Sequence, residues 1–224
     1  MRMMAVFEKT ERIRHIGHLD IQRAVQRGLR RSGLPVAYSA GFHPHILISF
    51  ASALSTGAAG RREIMDVTMA EEVSPETFLE RMNKAMPPEL HVFEAKPLDD
   101  KHPAMMSLVR AAAYDLAIDG DEAATRLVEA IPKAMSRETL PAMRKTKTKL
   151  AECDIKPLIR ALEGEGTHLR AILTLTEHES CKPGMLLEAL CREAGMETLP
   201  RMVVTRLSLF GENEAGELIP LETL

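Results

Sequence analysis

The sequence predicts an α+β protein built from two tandem ferredoxin-like (βαββαβ) halves with antiparallel sheets. The first observation is the order of its apolar patterns, which read as strand, helix, strands, helix and strand. The second is that the same order returns after a polar, proline-bounded segment at residues 96–103. We therefore expect a ferredoxin-like domain with a basic helix over residues 1–98, a second such domain over 104–212 and a tail over 213–224. A single larger α+β domain is the alternative.

In the first half, two helices are predicted from periodicity and end signals. The helix from Leu19 to Ser32 places its apolar side chains on one face and ends at a Gly-Leu-Pro sequence. The second helix follows Ser74, which we expect to be its N-cap, with Pro75 at the first helical position. The predicted strands are Met3–Glu8, Val36–Ser39, Ile46–Ser49, Glu63–Met69 and Leu90–Ala95, with a loop at Gly57–Gly60.

The second half repeats this order of elements without evident sequence identity to the first. Its predicted helices run from Asp121 to Ala134 and from Pro183 to Ala194, the latter with a leucine-rich apolar face. Its predicted strands are Leu108–Asp119, Arg144–Leu150, Thr167–Thr176 and Met202–Phe210, with residues Asp154–Ala161 between the second and third.

Composition narrows the class of protein. The 224 residues contain three cysteines and no tryptophan, and the formal net charge is −3. Cysteines this few and this widely spaced predict reduced thiols and no iron–sulfur or zinc motif. No apolar run reaches the roughly 18 residues of a membrane span, and no secretory signal is evident. We expect a cytoplasmic protein that makes no membrane contact, and we predict no cofactor.

The near-neutral total conceals an uneven distribution of charge. Residues 1–50 carry a net charge of +5, and residues 51–100 carry −5. No Asp or Glu occurs among the 42 residues between Asp20 and Glu63, which we call the acid-free segment. It contains six arginines and no lysine. This pattern favours a surface kept free of carboxylates, although a solvated helix face is an equally good explanation.

Two short histidine-containing segments are candidate sites. Arg14–Asp20 places His15, His18 and Asp20 at a helix N-terminus, where backbone amides attract anions. Tyr38–His45 contains a His-Pro-His sequence with a rigid spacer. The ordinary explanation is a helix cap in the first and an ordered turn in the second. The candidate catalytic residues are His18, His43, His45 and Asp20, and the three histidines are also weak candidates for a metal site, which we do not otherwise predict.

Two basic patterns are candidate nucleic-acid contacts. Arginines lie opposite the apolar face of the first helix, and three lysines alternate on one side of the predicted strand 144–150. A lysine-protected edge strand explains the second pattern equally well. The candidate nucleic-acid-binding residues are Arg23, Arg27, Arg30, Arg31, Arg61, Arg62, Lys145, Lys147 and Lys149.

Several strings of this sequence resemble the radical SAM-linked protein family, a domain of unknown function encoded beside or fused to radical SAM proteins. They are Gly17–Asp20 (GHLD), Gln22–Pro35 (QRAVQRGLRRSGLP), Tyr38–His45 (YSAGFHPH), Ile48–Phe50 (ISF) and Cys153–Ile159 (CDIKPLI). Gly17 stands where the family usually has Ser, and Ile46 where Pro often follows the second His. The resemblance implies a radical SAM protein as partner and a role in RNA metabolism, but it supplies no established reaction.

Three functions from different classes follow. The leading hypothesis is an accessory RNA-binding protein that acts with a radical SAM enzyme in tRNA or rRNA modification or processing. The first alternative is an RNA-processing or RNA-modifying enzyme that uses a histidine as general acid or base. The second alternative is a protein–protein scaffold for the radical SAM partner that does not contact RNA, with methionines such as Met105 and Met106 as contact points.

Overall fold

A computed structural model describes residues 1–145 and 150–224, and it is a mixed α+β structure with mostly antiparallel strands and five helices in those residues. The chain forms two compact units, residues 1–109 with 208–224 and residues 110–207. The domains expected over 1–98 and 104–212 stay a prediction, because compactness alone does not define a domain that folds independently. No helix in the described ranges combines the length and apolar character that a bilayer crossing requires.

The first unit is built on an antiparallel sheet in which its first strand is central, paired on one side with the third strand and on the other with the fourth. The short second strand pairs with the third. The elements of this unit are β1 (Arg2–Lys9), α1 (His18–Ser32), β2 (Ile48–Phe50), β3 (Ala58–Thr68), α2 (Pro75–Ala85), β4 (Val92–Leu98) and α3 (Met105–Leu108).

Helices α1 and α2 pack together and share one apolar core with β1. From α1, Ile21, Val25 and Leu29 are buried in it, as the helical period predicts. Gly28 lies against Met86, and a side chain at position 28 would overlap the Met86 sulfur. Because a Cβ has no room there, glycine allows the end of α2 to approach α1 closely.

In the second unit, the strand formed by His168–Thr174 pairs antiparallel with a neighbouring strand on each side. A separate two-stranded antiparallel ribbon follows the first helix of this unit in sequence and precedes its second sheet strand. The elements are β5 (Ala111–Ile118), α4 (Asp121–Ser136), β6 (Pro141–Lys145), β7 (Leu150–Asp154), β8 (Ile159–Glu165), β9 (His168–Thr174), α5 (Pro183–Glu193) and β10 (Met202–Glu212).

Strand β10 begins in the second unit and ends in the first. Residues 213–224, which we predicted as a tail, contribute β11 (Leu218–Pro220), which pairs with the end of β10. Leu221 is fully buried, and a side chain at Gly211 would overlap Leu224. These last residues are therefore packed parts of the first unit.

Several predicted strands differ from the observed ones. Val36 and Tyr38 form only isolated bridges, and β2 begins two residues later than predicted, because Pro35 and Pro44 interrupt the ladder on either side. The predicted loop at Gly57–Gly60 is mostly strand, since β3 starts at Ala58 and its Gly60 pairs with Lys9.

Two predicted strands of the second half also differ. The predicted strand Leu108–Asp119 is preceded by the helical turn α3, so that β5 begins only at Ala111. The predicted strand Arg144–Leu150 includes residues 146–149, which lie outside the described residues, and Lys145 and Leu150 belong to two strands that pair antiparallel.

The predicted start of α2 is confirmed. The Ser74 hydroxyl accepts a hydrogen bond from the Thr77 amide at 3.2 Å, and Pro75 occupies the first helical position. The pKa of the Glu76 carboxyl in this first turn is lowered, first by a hydrogen bond from its own backbone amide and then by the Ser74 hydroxyl. The Ser74 oxygen and the Glu76 carboxylate each accept from a backbone amide that has no partner within the helix, and both contacts stabilise the helix start.

We therefore expect Ser74→Ala to lower the free energy of unfolding by about 1 kcal/mol, because the Thr77 amide loses its acceptor. Urea denaturation followed by circular dichroism measures this, with Ser55→Ala, an exposed serine outside any helix, as the control. An equal effect of the two substitutions would contradict the assignment of Ser74 as an N-cap.

Candidate functional site

The arginines of α1 lie on its exposed side, because its apolar face is committed to the core. Arg23, Arg27 and Arg30 are all exposed. Arg23 is paired with Asp20 at 2.9 Å, an i,i+3 pair in which both side chains are largely exposed. Arg27 and Arg30 have no ion-pair partner anywhere in residues 1–145 and 150–224. These two guanidinium groups therefore keep their donors available to an external anion.

The end of α2 adds further cations beside the end of α1. Arg31 donates from Nη2 to the Ala85 carbonyl at 2.6 Å, and Arg81 donates from Nη1 to the Gly33 carbonyl at 3.1 Å. Arg31, Arg81 and Lys84 line one open surface depression, with Glu80 as the acidic residue among them. We call Arg27, Arg30, Arg31, Arg81 and Lys84 the basic surface.

Sequence reasoning missed Arg81 and Lys84 in this surface. They lie in the stretch of residues 51–100 whose net charge is negative, so counting charge by segment hides them. The signal that reveals them is the packing of α2 on α1, which brings residues about 50 positions apart in sequence together.

The other predicted nucleic-acid contacts differ in their availability. Arg61 is exposed, with its Nη1 at 4.0 Å from a Glu8 oxygen. Arg62 donates at 2.6 Å to both Glu94 and Glu222, and its guanidinium carbon lies 5.1 Å from the centre of the Phe93 ring. Burial alone would lower the pKa of Arg62, but the hydrogen bonds that it donates to these carboxylates and their negative charge outweigh burial and raise the pKa. Arg62 is thus committed to an internal network.

The predicted lysine ribbon is only partly visible. Lys147 and Lys149 lie outside the described residues, as does the side chain of Lys145. Arg144, at the start of the same string, donates from Nη2 to the Ser180 carbonyl at 3.2 Å.

The candidate histidines fall into two places. His43 and His45 are exposed in the loop before β2, where His45 Nδ1 lies 2.8 Å from the Ser39 hydroxyl. His18 begins α1, and its ring meets Phe50 edge-on at a centroid distance of 5.2 Å. Within the described ranges, no group of three or more His, Cys, Asp or Glu side chains is arranged to hold a metal ion. The structure therefore gives no support to a three-histidine site.

His18 lines a small cavity together with polar residues that sequence reasoning missed. The cavity measures about 10 Å³, close to the space that one water molecule requires. Lys9, Ser52 and Glu63 line it beside His18, and aromatic and aliphatic side chains complete the wall. Asp20, the fourth candidate catalytic residue, is not among the lining residues and pairs with Arg23 instead.

Lys9 and Glu63 are deeply buried charged side chains, 2% and 4% exposed. Lys9 Nζ donates to the Arg14 carbonyl at 2.9 Å and to the Ile16 carbonyl at 2.8 Å, which holds the turn before α1 against the end of β1. A Cβ at Gly60 would lie 2.5 Å from a Glu63 carboxylate oxygen, so glycine is required beside it. Little in the sequence indicates that Lys9 and Glu63 are buried, because strand periodicity does not reveal which charged residues lie inside.

The two buried cysteines offer no reactive site. All three are free, and Cys181 and Cys191 are buried. Burial, with a smaller contribution from Cys153 and opposition from Arg144, raises the pKa of Cys181 to about 12. At neutral pH this thiol stays protonated, and a protonated thiol is a poor nucleophile and metal ligand.

Comparison with known proteins places the chain in a family. A family model described as "Uncharacterized protein conserved in bacteria (DUF2344)" matches residues 2–183, which is most of the chain. The protein belongs to this family, a bacterial domain of unknown function. No curated protein matches it.

Proposed function

We propose that the protein binds RNA through the basic surface and acts as an accessory to a radical SAM enzyme in tRNA or rRNA modification or processing. The observation that carries the RNA contact is the state of Arg27 and Arg30. Both are exposed, they lie at i,i+3 on one helix, and neither has an ion-pair partner in the described parts of the chain. The partner enzyme rests on the resemblance of Gly17–Asp20 and Tyr38–His45 to the radical SAM-linked family.

The chemistry of arginine favours phosphate as the ligand of this surface. A guanidinium presents its donors in a planar fork that matches two phosphate oxygens, and it stays charged at every physiological pH. Residues three apart on a helix lie about 5–6 Å apart at Cβ, so the side chains of Arg27 and Arg30 leave the helix close to each other. Arg31, Arg81 and Lys84 extend the positive potential along the same two helix ends.

We also propose that each unit is a ferredoxin-like half. In the first unit the pairing order β4-β1-β3, with β2 on β3, is the fourth-first-third-second order of a βαββαβ unit. In the second unit the order β10-β5-β9-β8 has the same form, with the β6–β7 ribbon inserted after α4. In such a unit we expect α1 and α2 to form a layer of helices on one face of the strands of the first unit.

The double substitution Arg27→Ala with Arg30→Ala tests the RNA contact. Fluorescence anisotropy with a short tRNA stem-loop at several salt concentrations measures both affinity and salt dependence. We expect affinity of the wild type to fall steeply with salt, and the double variant to lower the slope of log K against log salt by about 1.4. That reduction corresponds to two lost phosphate contacts.

Arg170→Ala is the matched control for this experiment, since Arg170 is an exposed arginine on β9 among Glu163 and Glu165. It should leave both affinity and slope unchanged. Absent binding, or binding that does not depend on salt or on Arg27 and Arg30, would contradict the proposal.

A second candidate function is favoured by the cavity beneath α1. His18 lies there with Ser52 and with the buried charges Lys9 and Glu63, and titratable groups around a cavity are typical of proton-transfer sites. We therefore propose, as the alternative, that His18 is a general acid or base in an RNA-processing or RNA-modifying reaction. His43 and His45 do not line this cavity.

If this alternative holds, His18→Ala should reduce the rate of RNA cleavage or modification by about 10²–10⁴-fold. Incubation of the protein with varied RNAs, followed by gel and mass-spectrometric analysis, measures this rate. His15→Ala, at an exposed histidine three residues away, should retain full activity. Full activity of His18→Ala, or no reaction with any RNA, would exclude the enzymatic role.

A further inference from the structure

Phe42 is the most exposed large apolar side chain of the described residues. Its exposure is 102%, so the ring lies entirely in solvent at the tip of the loop before β2. Phe7, Phe50 and Phe78 are by contrast buried in the core of the first unit. Leaving a phenylalanine side chain in water forgoes the stabilisation that its burial would supply, so folding alone gives no reason for an aromatic residue here.

The loop that carries Phe42 is closed at its base by specific contacts. The Ser39 amide donates to the His45 carbonyl at 2.9 Å, and the His45 amide donates to the Ser39 hydroxyl at 3.1 Å. Tyr38 and Ile46 form an antiparallel bridge just below. Gly41 has a φ of +115°, a conformation that side chains disfavour, and it turns the chain directly before Phe42. The ring is therefore presented on a defined turn.

The surroundings of Phe42 match an anionic partner. The loop lies within the acid-free segment, and the nearest carboxylates in sequence, Asp20 and Glu63, are 22 and 21 positions from Phe42. His43 and His45 follow Phe42 in the same loop, and both are exposed. Only a few residues separate this loop in sequence from the end of α1, which carries Arg30 and Arg31.

We propose that Phe42 is a stacking platform for an unpaired nucleobase of the RNA whose phosphates the basic surface binds. This inference rests on the proposed RNA-binding function and adds the class of RNA, which is single-stranded segments or loops. Unpaired bases stack on aromatic side chains, whereas the bases of a duplex are already stacked on one another.

A nucleobase fits this feature better than a protein partner does. The neighbours of Phe42 in the loop are small or polar, namely Ser39, Ala40, Gly41 and His43, and the other exposed ring, Tyr38, lies at the base of the loop. A protein hot spot requires a ring of surrounding contacts that excludes water, whereas one base can stack on one exposed ring. The absence of Asp and Glu from the segment matters for a polyanion and has no comparable role in an apolar protein contact.

The test compares Phe42→Leu and Phe42→Trp with the wild type. Leucine keeps an apolar side chain and removes the π face, and tryptophan enlarges it. Anisotropy is measured with a fluorescein-labelled unstructured RNA of 12 nucleotides and with the same strand in a perfect duplex. We expect Phe42→Leu to weaken binding to the single strand at least about fivefold and to leave the duplex and the salt slope unchanged. Phe42→Trp should bind the single strand at least as tightly as the wild type.

Phe93→Leu is the matched control, since Phe93 is partly exposed on β4 and its ring contacts Arg62. It should bind as the wild type does. If the wild type binds RNA and Phe42→Leu binds the single strand equally well, the stacking role is wrong and the RNA-binding function stands. If Phe42→Leu keeps full RNA affinity but loses a co-purifying protein, Phe42 is a protein contact and the proposal is overturned. If the wild type binds neither RNA, both proposals fail.

Discussion

The close packing of α1 against α2 at Gly28 and Met86 decides where the cations of the first unit lie. Ile21, Val25 and Leu29 commit one face of α1 to the core, so the arginines one or two positions away must point outward. The contact at Gly28 brings the end of α2 near enough for Arg31 to reach Ala85 and for Arg81 to reach Gly33. A bulkier residue at position 28 would overlap the Met86 side chain, which would have to move.

The basic residues of the first unit fall into two groups, those with partners inside the unit and those left exposed. Arg62 and Lys9 are satisfied internally, the first by Glu94 and Glu222 and the second by backbone carbonyls of the turn before α1. Burying such charges costs several kcal/mol unless hydrogen bonds compensate, so these residues serve the fold first. Arg27 and Arg30 remain in solvent, so they incur no desolvation cost and the fold does not use their charges. For this reason we assign ligand binding to these two residues.

Much of the first unit could be predicted from sequence because its signals are local. The period of α1, the Ser74 cap and the exposed arginine face all depend on neighbours within one or two helical turns. The start of β3, by contrast, depends on Gly60 pairing with Lys9 across the sheet, and glycines read locally as a loop. The burial of Lys9 and Glu63 and the arrival of Arg81 and Lys84 depend on contacts between residues far apart in sequence.

The candidate functional segments likewise combine features that the sequence predicts with features that only the structure shows. The acid-free segment is visible by counting, and it directs attention to α1 and to the loop before β2. The low aromatic content of the chain argues against extensive base stacking, yet it says nothing of where each ring lies. Only the structure distinguishes Phe42, which is fully exposed, from Phe50, which packs against Phe7 and His18.

Ultraviolet crosslinking in living cells tests the central claim, that this protein contacts RNA through α1 and the loop that follows it. The tagged full-length protein is purified under denaturing conditions, its bound RNA is sequenced, and the adducts are mapped by mass spectrometry of its peptides. The account predicts recovery of tRNA or rRNA fragments, with adducts on peptides from residues 21–50. Recovery of no RNA above an uncrosslinked control, or adducts confined to residues 110–207, would contradict it.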